Sequence, residues 1–202
     1  MAIRNEYDWV KNNIPKAPCK LFNFGCRVDE TVEYFLKEGY SIVGVDLIED
    51  EHLKLLTTKF EDHFKFYQGN FFKMDFKEKF KCIYAISTIE HCGLAWYRPT
   101  VQTKDADGPA KALKKLYEML VPGGYLLITV PYGKAYPQRP AQWRVYQRKS
   151  LYELLKGYNH AVEFFGCATR WCSNKKGGFP LTQDKAEDYF AAACIKIVKE
   201  AA

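Results

Sequence analysis

Two residues, Gly25 and Asp46, stand where a nucleoside site needs a glycine and an acid. Gly25 follows the apolar run Lys20–Phe24, and Asp46 ends a second run, Tyr40–Asp46, 21 residues after Gly25. If both runs are parallel strands, the glycine opens the turn into a helix and the acid accepts two hydrogen bonds from a ribose diol. The pattern predicts a nucleoside site, although many dinucleotide enzymes share it.

The loop that begins at Gly25 argues against a dinucleotide. It reads GCRVDE and lacks the second and third glycines of G-x-G-x-x-G, which let backbone N–H groups approach a pyrophosphate. Asp29 and Glu30 also place negative charge where the diphosphate would lie. NAD and FAD are therefore disfavoured, whereas a ligand that ends in an ammonium group is compatible. The commoner role of such acids is to cap the helix and complement its dipole.

A second pair of residues with useful chemistry, Glu90 and His91, follows the apolar run Cys82–Ile86. A histidine or a carboxylate at the end of a strand can act as the general base that removes a proton from an acceptor. Local pairing is the more frequent role of an acid such as Glu90. For His91, packing beneath the loop and catalysis are equally compatible with the pattern.

The sequence predicts no metal site. Its four histidines are scattered and no close cluster of carboxylates accompanies them. Cys167 and Cys172 have four residues between them and no partner pair, so zinc is not expected either.

The elements that must position these residues alternate between strands and helices. Apolar runs at 20–24, 40–46, 64–67, 82–86 and 125–130 read as strands, with helical spacing near 32–36, 50–60, 109–120 and 149–156 between them. Two further apolar runs, 161–172 and 190–198, close the chain. Crossovers of this length join parallel strands, so we predict a Rossmann-like, doubly wound α/β sheet. Its ligand site should lie beyond the carboxyl ends of the strands.

Composition and charge bound the class of protein. The chain has 202 residues, of which 48% are hydrophobic and 27% charged. We therefore expect residues 1–202 to form a single globular domain. The net charge of +6 is spread along the chain and does not indicate nucleic acid. No apolar run reaches membrane length, and the N-terminus lacks an apolar segment of signal-peptide type. Seven scattered cysteines favour a reduced compartment, so we expect a cytoplasmic protein.

Four segments of the chain resemble the class I S-adenosylmethionine (SAM)-dependent methyltransferases. They are LFNFGCRVDE, SIVGVDL, FYQGNFF and, the most specific, ALKKLYEMLVPGGYLLITVPYG. The segment AISTIEHCGLAWY is similar to a subgroup of methyltransferase-like proteins with an "STIEHIGL" signature. The resemblance implies a mostly parallel sheet of seven strands with an antiparallel last strand. It also implies SAM as the cofactor and S-adenosylhomocysteine (SAH) as the product.

The resemblance assigns roles by position. Gly25, with Cys26 and Arg27 in its loop, would meet the methionyl part of SAM, and Asp46 would hold the ribose. The adenine ring would lie against Leu47 or Phe71, with Asn70 near its amine, and Ser87 and Thr88 would face the transferred methyl group.

Three residues depart from the family pattern. Arg27 and Asp29 replace the second and third glycines, and Lys81 stands where an Asp is usual. Arg27 could pair with the methionyl carboxylate, or it could fill the pocket and abolish the cofactor site.

The acceptor pocket is expected to come from two segments, 95–108 and 132–148, together with an N-terminal cap at 1–18. They carry aromatic and basic side chains that suit a sugar, a nucleotide or another polar and even anionic metabolite. The residues that we expect to contact the acceptor are Trp96, Tyr97, Tyr132, Arg144 and Arg148. A solvated basic face is the commoner explanation of the two arginines.

The main hypothesis is a methyltransferase that acts on the oxygen or nitrogen of a small polar or saccharide-type molecule. A second hypothesis is a non-catalytic SAM- or SAH-binding subunit that serves a partner. The altered glycine loop is the reason for considering it. A nucleic-acid methyltransferase is the third, and is disfavoured because Ser87-Thr88-Ile89-Glu90 stands in place of an Asn-Pro-Pro-Tyr motif. A homodimer remains open.

Overall fold

The computed structural model of the chain describes residues 4–27, 29–95, 104–134, 142–166, 179–188 and 190–201. Six helices and eight strands lie in the described residues: α1 (Arg4–Asn13), β1 (Lys20–Phe24), α2 (Glu30–Lys37), β2 (Ser41–Asp46), α3 (Glu51–Lys59), β3 (Phe64–Gln68), β4 (Phe80–Ile86), α4 (Gly108–Glu118), β5 (Leu120–Tyr132), α5 (Arg148–Leu155), β6 (Asn159–Gly166), β7 (Phe179–Leu181), α6 (Gln183–Asp188) and β8 (Ala191–Val198). Two short 3₁₀ helices, Phe71–Lys73 and Ile89–His91, follow β3 and β4.

The strands form one sheet in the order β3-β2-β1-β4-β5-β8-β6-β7. Strands β1 to β5 are parallel, whereas β8 runs antiparallel to both β5 and β6. The predicted fold class and its antiparallel last strand are confirmed. The expected number of seven strands is wrong, because the short strand β7 adds an eighth by pairing with the end of β6.

Both faces of the sheet are covered, which explains why its strands are almost continuously apolar. On one face the buried side chains of α1, α2 and α3 pack against Leu21, Cys82 and Leu127. On the other, the side chains of α4 and α5 pack against Phe22 and Ile83. Neighbouring residues of β1 and β4 thus point into different cores. The strand order reverses between β1 and β4, and ligands of doubly wound sheets bind at such a switch point.

The departure at Lys81 has a structural explanation. Its Nζ donates a hydrogen bond to the carbonyl oxygen of Gly123 at 2.7 Å, just where the pairing of β4 with β5 changes register. Gly123 has φ +69°, a backbone conformation that favours glycine. The Pro-Gly-Gly turn therefore lies within β5, which begins earlier than the predicted 125–130.

In the described part of the chain, no helix combines the length and the apolar character needed to cross a membrane.

Candidate functional site

Gly25 brings the tips of β1 and β4 into contact. Its φ is +85°, and its N–H donates to the carbonyl of Val45 at 2.9 Å, which turns the chain sharply after β1. A Cβ atom at this position would lie only 2.3 Å from Oγ1 of Thr88. Glycine is thus required both by the backbone conformation and by the close approach of Thr88.

Gly25→Ala is expected to lower the free energy of unfolding more than Gly39→Ala does. Gly39 also has φ +85°, but a Cβ atom at this position would meet no atom within 4 Å. Gly39→Ala therefore measures the backbone strain alone, about 1 kcal/mol. Overlap with Thr88 adds about 1–3 kcal/mol at Gly25. Urea unfolding of the two variants measures the difference. Equal losses would mean that the contact with Thr88 is absent.

The Asp46 carboxylate has the geometry of a diol acceptor. Its Oδ2 accepts from the backbone N–H of Arg27 at 3.1 Å, and its Oδ1 accepts from the N–H of Ile48 at 3.2 Å. Burial raises the pKa of Asp46, and these N–H groups oppose the rise. Since each carboxylate oxygen has two lone pairs, each can accept one further hydrogen bond, which is what a ribose diol supplies.

The Arg27 side chain is turned towards α3. Its Nε lies 3.6 Å from Oδ2 of Asp50, the residue whose side chain caps α3. Of its neighbours in the loop, Cys26 is buried, with its Sγ against Gly44, so only its backbone is available to a ligand. The backbone N–H of Arg27 thus joins the turn between β1 and α2 to Asp46.

Asp29 caps α2, as its commoner role predicts. Its Oδ1 accepts from the backbone N–H and the hydroxyl of Thr31, and its Oδ2 accepts from Nδ2 of Asn23 at 2.6 Å. Burial raises the pKa of Asp29, while these donors oppose the rise. Asp29, which replaces the third glycine of the family pattern, therefore serves to begin a helix.

The segment after β3 is held against β2 by backbone contacts. The N–H of Gly69 donates to the carbonyl of Asp46 at 2.8 Å, and Oδ1 of Asn70 accepts from the N–H of Phe72 at 3.0 Å. On α4, Lys115 donates from Nζ to the carbonyls of Phe71, at 2.6 Å, and Met74. Gly69, the residue before Asn70, thus lies beside the end of β2.

Phe71 belongs to the core. Its side chain is 3% exposed and its ring centroid lies 4.5 Å from that of Phe24. This placement contradicts its expected role as a wall for adenine, because the ring already packs within the sheet face. Leu47, half-buried directly after Asp46, remains available for that wall.

At the tip of β4, Ser87 connects the site to the N-terminal helix. Ser87 has φ +45°, rare for a residue with a side chain, and its N–H donates to the carbonyl of Thr129. Its Oγ donates to Oε1 of Glu6 at 2.9 Å. Sequence reasoning missed Glu6, which is 2% exposed, because nothing in the spacing connects it with a residue 81 positions away.

Glu90 and His91 lie side by side beneath the β4 tip. Glu90 is 1% exposed, and burial, with the charge of Glu6 adding to it, raises its pKa to about 8. Nε2 of His91 lies 3.7 Å from Oε1 of Glu90, while Nδ1 donates to the carbonyl of Gln142 at 2.5 Å. Burial lowers the pKa of His91. A neutral imidazole with hydrogen on Nδ1 leaves Nε2 as a proton acceptor facing the Glu90 carboxyl.

Three residues expected to contact the acceptor have structural partners. The Arg144 guanidinium donates to the carbonyls of Glu90, Cys92 and Asp105 at 2.6–3.2 Å. Tyr132 is fully buried and its hydroxyl donates to Glu187. Arg148, which is exposed, pairs with Asp184. The contacts of Arg144 and the burial of Tyr132 contradict their expected contact with the acceptor, whereas the role of the exposed Arg148 stays a prediction. Trp96 and Tyr97 lie outside the described residues.

Arg144→Met is expected to destabilise the fold much more than Arg148→Met. The first variant leaves three partly buried carbonyls without their charged donor, a loss of about 3 kcal/mol or more. The second removes an exposed ion pair, whose contribution is small. Chemical denaturation of both variants tests the contrast, and similar midpoints would show that Arg144 does not secure these loops.

In the described ranges, no group of three or more His, Cys, Asp or Glu side chains could hold a metal ion. Acids at the carboxyl edge include Asp46 at the end of β2, and Glu6 and Glu90 beside β4.

The fold is that of a Rossmann-like protein, and a comparison with protein families names its class. Residues 8–163 match the family described as "Methyltransferase domain". The chain therefore belongs to this family. Curated protein sequences give no match.

Solved structures share the fold at low identity. The 1,6-didemethyltoxoflavin-N1-methyltransferase of Burkholderia thailandensis, bound to 1,6-didemethyltoxoflavin and SAH, is 17% identical with a TM-score of 0.68, over 98% of this chain and 77% of that one. The Haemonchus contortus phosphoethanolamine N-methyltransferase 2 with SAM is 15% identical with a TM-score of 0.67, over 98% of this chain and 52% of that one. The N-methyltransferase NodS of Bradyrhizobium japonicum with SAH is 12% identical with a TM-score of 0.62, over 97% of this chain and 86% of that one.

Proposed function

We propose that the protein is a SAM-dependent methyltransferase that acts on a small polar molecule. The observation that carries this proposal is the Asp46 carboxylate at the end of β2, one strand from the switch point, which has two accepting positions left, one on each oxygen. Membership in the methyltransferase-domain family supports it, as do three similar folds crystallised with SAM or SAH. Their acceptors, where the names give them, are small molecules.

The residues at the edge fit SAM better than a dinucleotide. Asp46 would hold the ribose hydroxyls, Leu47 would cover one face of the adenine, and Asn70 would accept from its amine. The turn at Gly25 would receive the methionyl part of SAM. Arg27, whose Nε lies 3.6 Å from Oδ2 of Asp50, would lie beside this path.

When bound, SAM supplies a methyl group on a sulfonium, which is already activated for in-line displacement. The chain itself must align the acceptor and take its proton. Glu90 and His91 form the group that we assign to this task, because His91 Nε2 and the Glu90 carboxyl face each other at 3.7 Å. The carboxylate of an acid with a pKa of about 8 is a stronger base than that of an ordinary glutamate, which favours Glu90, in its ionised form, as the first proton acceptor.

The acceptor pocket is proposed to lie between the segments 95–108 and 132–148 under the N-terminal cap. The ends of these segments that the structure describes converge on Arg144, which joins Glu90, Cys92 and Asp105. Arg144 would thus set the spacing of the two acceptor segments without contacting the acceptor.

Native mass spectrometry of the purified protein tests the proposal directly. We expect a co-purified SAM or SAH, and calorimetry should give dissociation constants in the micromolar range for both. If neither compound binds at millimolar concentration, the proposed function is wrong. If both bind but no acceptor is methylated unless a second chain is present, the alternative of a non-catalytic subunit replaces it.

A further inference from the structure

Two buried carboxyl groups approach each other at the tip of β4. Glu6 reaches this point from α1 and accepts from Ser87 Oγ at 2.9 Å, while Glu90 follows Ser87 by three residues. The charge of Glu6 is among the causes that raise the pKa of Glu90. Buried acids are costly unless something compensates them, so this pair requires an explanation.

Two polar atoms in this cluster lack a hydrogen-bond partner among the described residues. They are Oε2 of Glu90 and the hydroxyl oxygen of Tyr146, whose side chains are 1% and 5% exposed. The two groups are neighbours: burial is the main cause that raises the pKa of Tyr146, and the charge of Glu90 is the next. Buried polar groups are nearly always satisfied in native structures, so the two atoms together indicate a polar ligand.

The charges around these atoms select the kind of ligand. The Arg144 guanidinium is directed at backbone carbonyls, and His91 is neutral because burial lowers its pKa. The nearby thiol of Cys92 is protonated, because burial raises its pKa. With the N–H groups of Arg144 directed at carbonyls, the described charges that would face a ligand are carboxylates: that of Glu6, and that of Glu90 once it is ionised. They attract a cation and repel an anion.

The proton balance further separates amines from alcohols. An alkylammonium group has a pKa of about 10, close to that of a lysine side chain, whereas that of water or an aliphatic hydroxyl is about 16. For a base with a pKa of about 8, the gap is roughly 2 for the ammonium and roughly 8 for the hydroxyl. Within a buried site, passing the proton to the carboxylate also removes two charges, which lowers the cost of burial.

We infer that the acceptor is an amine, which enters as its ammonium form between Glu6 and Glu90 and is methylated on nitrogen. Glu90 must be ionised when the ammonium enters; an N–H bond then breaks and its proton goes to Oε2 of the Glu90 carboxylate. The nitrogen lone pair then forms the N–CH₃ bond while the C–S bond of the sulfonium breaks, and its electron pair stays on sulfur. The methylated ammonium and SAH are the products. This inference rests on the proposed function and narrows its substrate class.

A titration of the SAH-bound full-length protein tests this inference without the natural acceptor. Ethylammonium chloride, ethanol and sodium acetate are added at constant ionic strength, and binding is followed by NMR of ¹³C-carboxyl-labelled glutamate. We expect saturable binding of ethylammonium at least tenfold tighter than that of ethanol or acetate, with a shift of the Glu90 signal. Glu6→Gln and Glu90→Gln should abolish this preference, whereas the exposed variant Glu118→Gln should keep it.

The possible outcomes distinguish this inference from the proposed function. If SAH itself does not bind, the proposed function fails before the titration begins. If SAH binds but ethylammonium shows no saturable binding, or binds no better than ethanol or acetate, only the amine acceptor is refuted. A preference that survives in both glutamine variants also refutes it, because the ammonium would then bind elsewhere. Circular dichroism of the variants verifies that they are folded.

Discussion

Asp46→Asn is expected to weaken the binding of SAH by about a hundredfold. A ribose diol donates two hydrogen bonds to the carboxylate, and hydrogen bonds to a charged group contribute about 1.5–3 kcal/mol each. Asparagine offers a single accepting oxygen and no charge. Its NH₂ group must also face the N–H of either Arg27 or Ile48, so the turn beside the site loses one hydrogen bond as well.

Calorimetric titration of SAH into both proteins measures this loss. Glu51→Gln is the matched control, because Glu51 lies five residues further on, with a side chain that is 90% exposed. It removes one negative charge from the same region and should leave the affinity unchanged. Asp46→Ala should lose at least as much affinity as Asp46→Asn. An affinity within threefold of the original in Asp46→Asn would place the ribose elsewhere and refute the role assigned to Asp46.

The part of the site closest to the first two strands could be predicted because its signals are local. Gly25 and Asp46 are marked by the ends of two apolar runs, and strands that are parallel and adjacent bring their carboxyl ends together. The role of Asp29 as a helix cap is equally local, since it depends on Thr31, two residues away.

The roles that were wrong depend on which way a side chain points. Phe71 follows Asn70 in the adenine segment, but a 3₁₀ turn rotates its ring into the core against Phe24. Arg144 is basic and lies in an aromatic segment, which favours an anion site. In the fold, however, backbone carbonyls from two distant segments reach it first. Spacing along the chain contains no information about either competition.

Glu6 shows why the acidic part of the site could not be predicted. It lies on a helix whose position relative to β4 is set by packing of Trp9 and Val10 against the sheet. The resulting contact with Ser87 spans 81 residues. Only this contact turns Glu90 from a single acid after a strand into one member of a buried pair. With it, the acceptor that we infer narrows from a polar or saccharide-type molecule to a cationic one.

Glu90→Gln is expected to stabilise the protein at pH 8 by a free energy on the order of a few kcal/mol. The pKa of Glu90 is about 8 in the folded protein, against an ordinary value of 4.5. Between these values the folded protein holds a proton that the unfolded chain has released, so the stability of the original protein falls as the pH rises. Glutamine is nearly isosteric and remains neutral, so the variant does not lose this stability.

Urea unfolding at several pH values measures the effect. The free energies of unfolding of the two proteins should be similar below pH 4.5, diverge as the pH rises towards 8, and differ by a constant amount above it. The exposed variant Glu118→Gln should show no such divergence. SAH affinity should change little in Glu90→Gln, because the ribose contact lies at Asp46. Parallel pH profiles for the original protein and Glu90→Gln would mean that Glu90 is ionised throughout this range, and it would then be too weak a base to take a proton from an ammonium group.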